Sequence, residues 1–486
     1  MQKRALLAVG LAGLLGLFVL LGVLIARPGT QAGLAGAGDR NASVTQNQES
    51  DAAMEEEEEL AYEEEEYEML APGTGKALDP NWKPQPVAGE PVSLAWPNIK
   101  VNNDSTQEAQ NEPFIAINPA NPKHIVVGAN SWQPGNGYFE VYAYVSFDGG
   151  KTWNSSQPYI NRDASRINAA DPTIAFGNDG SVYFAFVALG PARGAVAVSR
   201  STDGGLTWSS QTWATSFNSA ADKPAIAAAN GNLYLYYQNT SLYGRISGDG
   251  GATWSEATFI EAGGRNANPV VDNKGNVYVF YNTANSIKVA ILSGAISTAR
   301  PQYRVVTVAN TVALQPRPTQ YRATIYATGA ADGNGNLYVA WADGRNAGRG
   351  NDILYSRSTD GGTTWSSPVT VNNDATGADQ LMPALAVDKQ GLLTIAWLDN
   401  RNDPANVNYD VYMAVSSDGV NFGDNVRVTS VSSNPNNDPR LQGTMIGDYF
   451  SIAVSNGMAY PVWTDTRNNN EDIYLAPVPL MSATNK

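Results

Sequence analysis

The segment Ser146-Phe147-Asp148-Gly149-Gly150-Lys151-Thr152-Trp153 returns as Ser201-Thr202-Asp203-Gly204-Gly205-Leu206-Thr207-Trp208, as Ser247-Gly248-Asp249-Gly250-Gly251-Ala252-Thr253-Trp254 and as Ser358-Thr359-Asp360-Gly361-Gly362-Thr363-Thr364-Trp365. A degenerate fifth copy is Ser416-Ser417-Asp418-Gly419-Val420-Asn421-Phe422. Such a recurrent pattern marks a repeat architecture. The Asp carboxylate can accept the N–H groups of a tight turn, and the glycines supply φ > 0. The Thr-Trp pair then starts a returning strand with a large apolar group to bury. Asp148, Asp203, Asp249, Asp360 and Asp418 are therefore expected to hold hairpin turns. A metal site is the weaker alternative, because each copy offers a single carboxylate.

Successive box aspartates lie 55, 46, 111 and 58 residues apart, so one unit without a box should fall between Asp249 and Asp360. Asn268 to Tyr281 supplies it: short apolar runs flank a turn at Asn273-Lys274-Gly275-Asn276, as they flank Asn178-Asp179-Gly180. Runs rich in Val, Ile, Tyr and Trp between Asn-Gly or Asp-Gly turns read as strands joined by hairpins. In the second unit the four strands are placed at Thr173–Phe176, Ser181–Val187, Ala195–Ser201 and Trp208–Trp213, named A to D. Units starting near Phe114, Thr173, Ala225, Val270, Ala323, Ala384 and Phe450 make seven. Units this small cannot bury a core alone, which points to an all-β protein, a β-propeller with seven four-stranded blades. The last unit lacks a D strand, and Ile99-Lys100-Val101-Asn102-Asn103-Asp104 matches Val369-Thr370-Val371-Asn372-Asn373-Asp374, the D strand of the fifth. The N-terminal strand is thus expected to close the ring and remove an exposed edge.

Outside the repeats, Lys3 and Arg4 precede 22 uncharged residues, Ala5 to Ala26. That length suits a membrane anchor, while a signal peptide cleaved near Ala35-Gly36-Ala37 is the rival reading of residues 1–27. Either would place the remainder outside the cell. Residues 28–90, with Glu55 to Glu59 and Glu63 to Glu66, have the composition of a disordered acidic linker, leaving 91–486 for the propeller.

The 486 residues include no cysteine and one histidine, His124, with a net charge of −15. Disulfides, thiolate zinc sites, cysteine nucleophiles and multi-histidine centres are excluded, and a Ser-His-Asp triad would need His124 as its base. The acidic balance argues against nucleic acid as a partner. No cofactor is expected, with bound calcium left open, and a monomer is the expected state. The membrane is expected to be touched only through the N-terminal segment.

Hairpin topology puts the A–B and C–D turns, with the boxes, on one face, and the B–C and D–A connections on the other. At this second mouth three B strands end alike: Trp341-Ala342-Asp343-Gly344-Arg345-Asn346, Trp397-Leu398-Asp399-Asn400-Arg401-Asn402 and Trp463-Thr464-Asp465-Thr466-Arg467-Asn468. The starts of the inner strands add Glu112, Asp171, Asp222, Arg322 and Asp448-Tyr449. Ligand contacts are expected among Glu112, Arg322, Asp343, Arg345, Asp399, Arg401, Asp465 and Arg467. The competing reading makes each Trp-x-Asp-x-Arg-Asn a fastener, with Trp packed between blades and Asp paired to Arg.

Over roughly residues 95–480 the boxes resemble those of the Asp-box, or bacterial neuraminidase repeat, proteins, whose best-known members are sialidases. The resemblance implies a propeller, six-bladed in sialidases, and a site with three arginines for the substrate carboxylate, a tyrosine nucleophile activated by a glutamate, and an aspartate as acid and base. Tyr449 stands where that nucleophile is expected, and Asp171 or Asp222 where the acid is expected. The Arg-Ile-Pro segment of the family is missing: its place reads Asn111-Glu112-Pro113, while Arg166-Ile167-Asn168 lies in a later connection. Two functions follow. One is a surface propeller that binds glycan or cell-surface protein at the second mouth; the other is an exo-sialidase or related glycoside hydrolase.

Overall fold

Every stretch of alternating apolar residues that the turns delimit becomes a strand, and the strands assemble into seven antiparallel sheets of consecutive hairpins. The computed structural model describes residues 96–480, apart from 104–107, 134–137, 159–167, 190–193, 293–300, 318–320, 347, 349 and 439–444. The expected leader or anchor at 1–27 and linker at 28–90 lie outside the described residues. Among the described residues no helix is long and apolar enough to cross a membrane. The blade count is seven, as the repeats imply, and not the six of the sialidase resemblance.

Blade 2 shows the common plan: A is Asn168–Phe176, B Val182–Leu189, C Gly194–Ser201 and D Thr212–Trp213. Its inner strand starts five residues earlier than the apolar run because Asn168 to Ala170 also pair, ahead of a bulge between Ala170 and Thr173. In blade 5 the A strand is Thr328–Ala331, so the start expected near Ala323 falls in the preceding connection. Apolar side chains on facing sheets fill the seams between blades. Val126 and Val145 of blade 1 meet Ile174 and Phe184 of blade 2, for example, and each is almost fully buried.

The boxes take the turn geometry their residue types require. In the second copy Asp203 Oδ1 accepts Thr207 N at 2.9 Å, and Ser201 Oγ accepts Gly205 N at 2.8 Å. Gly204 and Gly205 sit at φ 83° and 97°, where a Cβ would be strained. Within the turn Ser201 is buried, whereas Asp203 is exposed. Asp203→Ala should therefore lower stability by no more than about 1 kcal/mol, because water replaces the lost acceptor. Thermal unfolding measures this. Burial pushes the Asp203 carboxyl upward, but the hydrogen bonds from Thr207 and Ser201 together outweigh it and hold the group at about 2. A depressed carboxyl stabilises above its unfolded pKa of about 3.9, and that contribution disappears as pH falls through about 2.

Ring closure follows the sequence match residue by residue. Ile99–Lys100 pairs antiparallel with Asp472–Leu475, as Ile99 with Leu475 and Lys100 with Tyr474. Asn102 donates to Gln110 Oε1 and Asp472 Oδ1, and accepts from Ile473 N. Asn372 does the same in blade 5, donating to Gln380 Oε1 and Asp352 Oδ1 and accepting from Ile353 N. The shared Val-Asn-Asn-Asp letters thus record a shared buried hydrogen-bond set.

Candidate functional site

The inner strands of blades 1, 2, 3, 4 and 6 all carry a register shift at their start. The first residue of each bulge, Glu112, Asp171, Lys223, Asn266 and Met382, lies at φ between 42° and 58°. Left-handed backbone is uncommon for such residues, and bulges re-aim side chains beside functional sites. The same count, two residues before Thr328 and Ser451, gives Tyr326 in blade 5 and Tyr449 in blade 7. Around the axis, one arc is thus charged (Glu112, Asp171, Lys223), while the opposite arc is Tyr326, Met382 and Tyr449.

The charged arc is tightly bonded. Lys223 Nζ lies 3.1 Å from Asp171 Oδ1 and 2.8 Å from Asp448 Oδ2, with all three side chains at most 5% exposed. Arg322 Nε donates to Asp448 Oδ1 at 2.5 Å, and its Nη2 donates to Oδ2. Glu112 Oε1 accepts Asp448 N and Oε2 accepts Asn130 Nδ2, both at 3.0 Å. Burial drives the Glu112 carboxyl well above the carboxylate range against the pull of Lys223, with Asp171 and Asp448 adding to the rise. Burial also pushes Asp171 and Asp448 upward. Lys223 together with a hydrogen bond from Glu112 at Asp171, and Lys223 together with Arg322 at Asp448, outweigh that burial, so both stay below the usual range. Burial disfavours the Lys223 ammonium, but Asp171, Asp448 and Glu112 together raise its pKa well above normal. Glu112, biased toward its protonated form, therefore sits among two carboxylates and two cations.

Tyr326 and Tyr449 are half-buried with ring centroids 5.7 Å apart. With Asp171, Lys223, Phe114 and Phe450 they border a cavity of about 140 Å³. The Tyr449 hydroxyl donates to Pro172 O at 3.4 Å. Burial, then the nearby Glu112 and Asp171, push that phenol well above its ordinary pKa. The glutamate that stands near Tyr449 is Glu112. Its proton and its two accepted N–H bonds suit it poorly to the role of base.

Of the residues expected at the mouth, Glu112, Asp171, Arg322, Asp448 and Tyr449 come together. Asp222 stands beside this set, against Asp171, and accepts Gln238 Nε2 at 3.0 Å, while the bulge position belongs to Lys223, which reasoning from sequence missed. The x-Pro dipeptides Glu112-Pro113, Asp171-Pro172, Lys223-Pro224 and Met382-Pro383 were the available signal. Asp343, Asp399 and Asp465 are fully buried away from this cluster. Each accepts its own Trp Nε1 and a two-pronged arginine. The arginines then reach neighbouring strands: Arg345 to Asn310 O, Arg401 to Asn373 and Asn425, Arg467 to Ser430 and Asn98. This geometry is that of the fastener. His124 lies on the box face, stacked on Phe147 with Nε2 2.8 Å from Gly204 O. Arg166 and Ile167 lie outside the described residues. No group of His, Asp or Glu able to hold a metal ion occurs among the described residues.

Fold and boxes together define a seven-bladed β-propeller whose hairpin turns are Asp boxes. Residues 100–302 match the family model of the BNR repeat-like domain. Solved structures of similar fold include the phage phi92 endosialidase, 10% identical over 80% of this chain and 70% of that one, with a TM-score of 0.47. A Hadza microbial sialidase is 14% identical over 73% of each chain, with a TM-score of 0.42. The GH93 α-L-arabinofuranosidase of Fusarium graminearum is 13% identical over 79% of this chain and 97% of that one, with a TM-score of 0.45. No curated protein matches the sequence.

Proposed function

We propose that the protein is an exported propeller, held at the cell surface or secreted, that binds glycan or cell-surface protein at the mouth opposite the boxes without hydrolysing it. The observation that supports this most is the engagement of Arg322 by Asp448. An arginine already spent on a buried aspartate is a poor clamp for a sialic acid carboxylate, which calls for planar two-pronged contacts from uncommitted guanidinium groups. Asp171, held below the usual carboxylate range, is a poor proton donor at neutral pH, and a phenol pushed upward is a poor nucleophile. The balanced charges and the tyrosine arc favour a neutral, hydroxyl-bearing ligand that stacks on Tyr326 and Tyr449.

A fluorogenic sialoside should give no release above background, while a glycan array should retain the protein on neutral rather than sialylated glycans. Sialidase activity that disappears in Tyr449→Phe would favour the hydrolase reading instead.

A further inference from the structure

We propose that Lys223 and Asp171 condense into an intramolecular amide bond, with Glu112 moving the protons, so that blades 2 and 3 become covalently joined at the mouth. The two side chains are 52 residues apart in sequence, yet Nζ stands 3.1 Å from Oδ1. Their exposures are 3% and 5%, so water does not separate them. Both sit on bulge residues of left-handed backbone, at φ 42° and 55°, which hold the pair in register without relying on flexible loops. Such fixed contact between reacting groups replaces the encounter that a solution reaction must wait for.

Glu112, Asp171 and Asp448 surround this lysine with different hydrogen-bond partners, and that difference selects the one that reacts. Asp448, although 2.8 Å from Nζ, is held by both nitrogens of the Arg322 fork, and its consumption would strand that guanidinium. Asp171 instead receives a hydrogen bond from Glu112, which draws electron density from its carbonyl carbon. Glu112 is itself oriented by Asp448 N and Asn130 Nδ2.

The chemistry needs no further reagent. One proton passes from the Lys223 ammonium to Asp171, giving a free amine against a carboxylic acid; burial lowers the cost of this neutral pair, which the surrounding charges otherwise hold as an ion pair. The nitrogen lone pair forms a bond to Asp171 Cγ. Glu112 gives its proton to the departing hydroxyl and takes the second nitrogen proton in exchange, the C–O bond breaks, and water leaves. Ammonium and carboxylate have become amide and water, and Glu112 ends as it began. Loss of one positive and one negative charge leaves the charge balance of the mouth unchanged.

Mass spectrometry of the full-length folded protein tests this. The intact mass should be lower than the sequence mass, after any N-terminal processing is mapped, by one water molecule. Proteolysis should release the segments holding Asp171 and Lys223 as one branched species. In Glu112→Gln and in Lys223→Met the two segments should separate at full mass, with thermal unfolding reporting whether each variant folds. Wild-type segments recovered apart and unmodified would overturn the proposal, whatever the variants do. A branch at Asp448 would overturn the choice of partner, and an undiminished branch in folded Glu112→Gln would overturn the role of Glu112.

Discussion

Asp465→Ala should lower the unfolding free energy by about 3–5 kcal/mol, the range for breaking a buried ion pair by removing one partner. The carboxylate is fully buried and receives Trp463 Nε1 at 2.9 Å and both prongs of Arg467 at 2.8 and 2.7 Å. Removal strands an indole N–H and a guanidinium whose side chain is only 14% exposed. The loss reaches further, because Arg467 also holds Asn98, the residue that precedes the closing strand. The same substitution at Asp343 should cost less, since the Arg345 side chain is 32% exposed and water can take over its hydrogen bonds. Equilibrium denaturation of both variants decides the matter. Equal losses, or a near-neutral Asp465→Ala, would mean that the motif is not the fastener described above.

A chain that begins at residue 104 should fail to give a cooperatively folding propeller, while one that begins at residue 91 should unfold like the full chain. Removing the closing strand exposes the edge of Asp472–Leu475 and withdraws Val101, fully buried against Ile115, Trp153 and Leu475. Burying a valine is worth about 1.5–3 kcal/mol. The loss of Asn102 leaves the buried Gln110 and Asp472 side chains and the Ile473 N–H each without one partner, at about 1–3 kcal/mol apiece. Together these rival the whole stability of an ordinary domain, about 5–15 kcal/mol. Far-ultraviolet circular dichroism and a thermal scan of the two truncations measure it. A cooperative transition in the shorter chain within a few degrees of the longer would refute the closing role.

The repeat physics explains why so much of the architecture was legible. A Ser-x-Asp-Gly-Gly-x-Thr-Trp turn satisfies itself within eight residues, so its geometry depends on no distant contact, and its spacing counts the blades. Closure was legible for the same reason: Asn102 and Asn372 occupy equivalent positions and form equivalent bonds, so one could be recognised from the other. The mouth was less transparent. Side chains in a strand alternate faces, and a one-residue error exchanges axis for seam; Asp222 was chosen where Lys223 points to the centre, because the inner-strand bulge that sets the phase has no signal beyond the following proline.

By itself, then, the sequence determined the repeat, the turns, the seven blades and the strand that closes them, since each rests on local hydrogen bonding and on period-two burial. Only the tertiary structure decided which charges meet. Glu112, Asp171 and Lys223 belong to blades 1, 2 and 3, and Arg322 and Asp448 to the connections that enter blades 5 and 7; no spacing along the chain encodes their approach. Their protonation follows from burial at the axis, where desolvation and a few nearby charges outweigh the intrinsic acidity of each side chain.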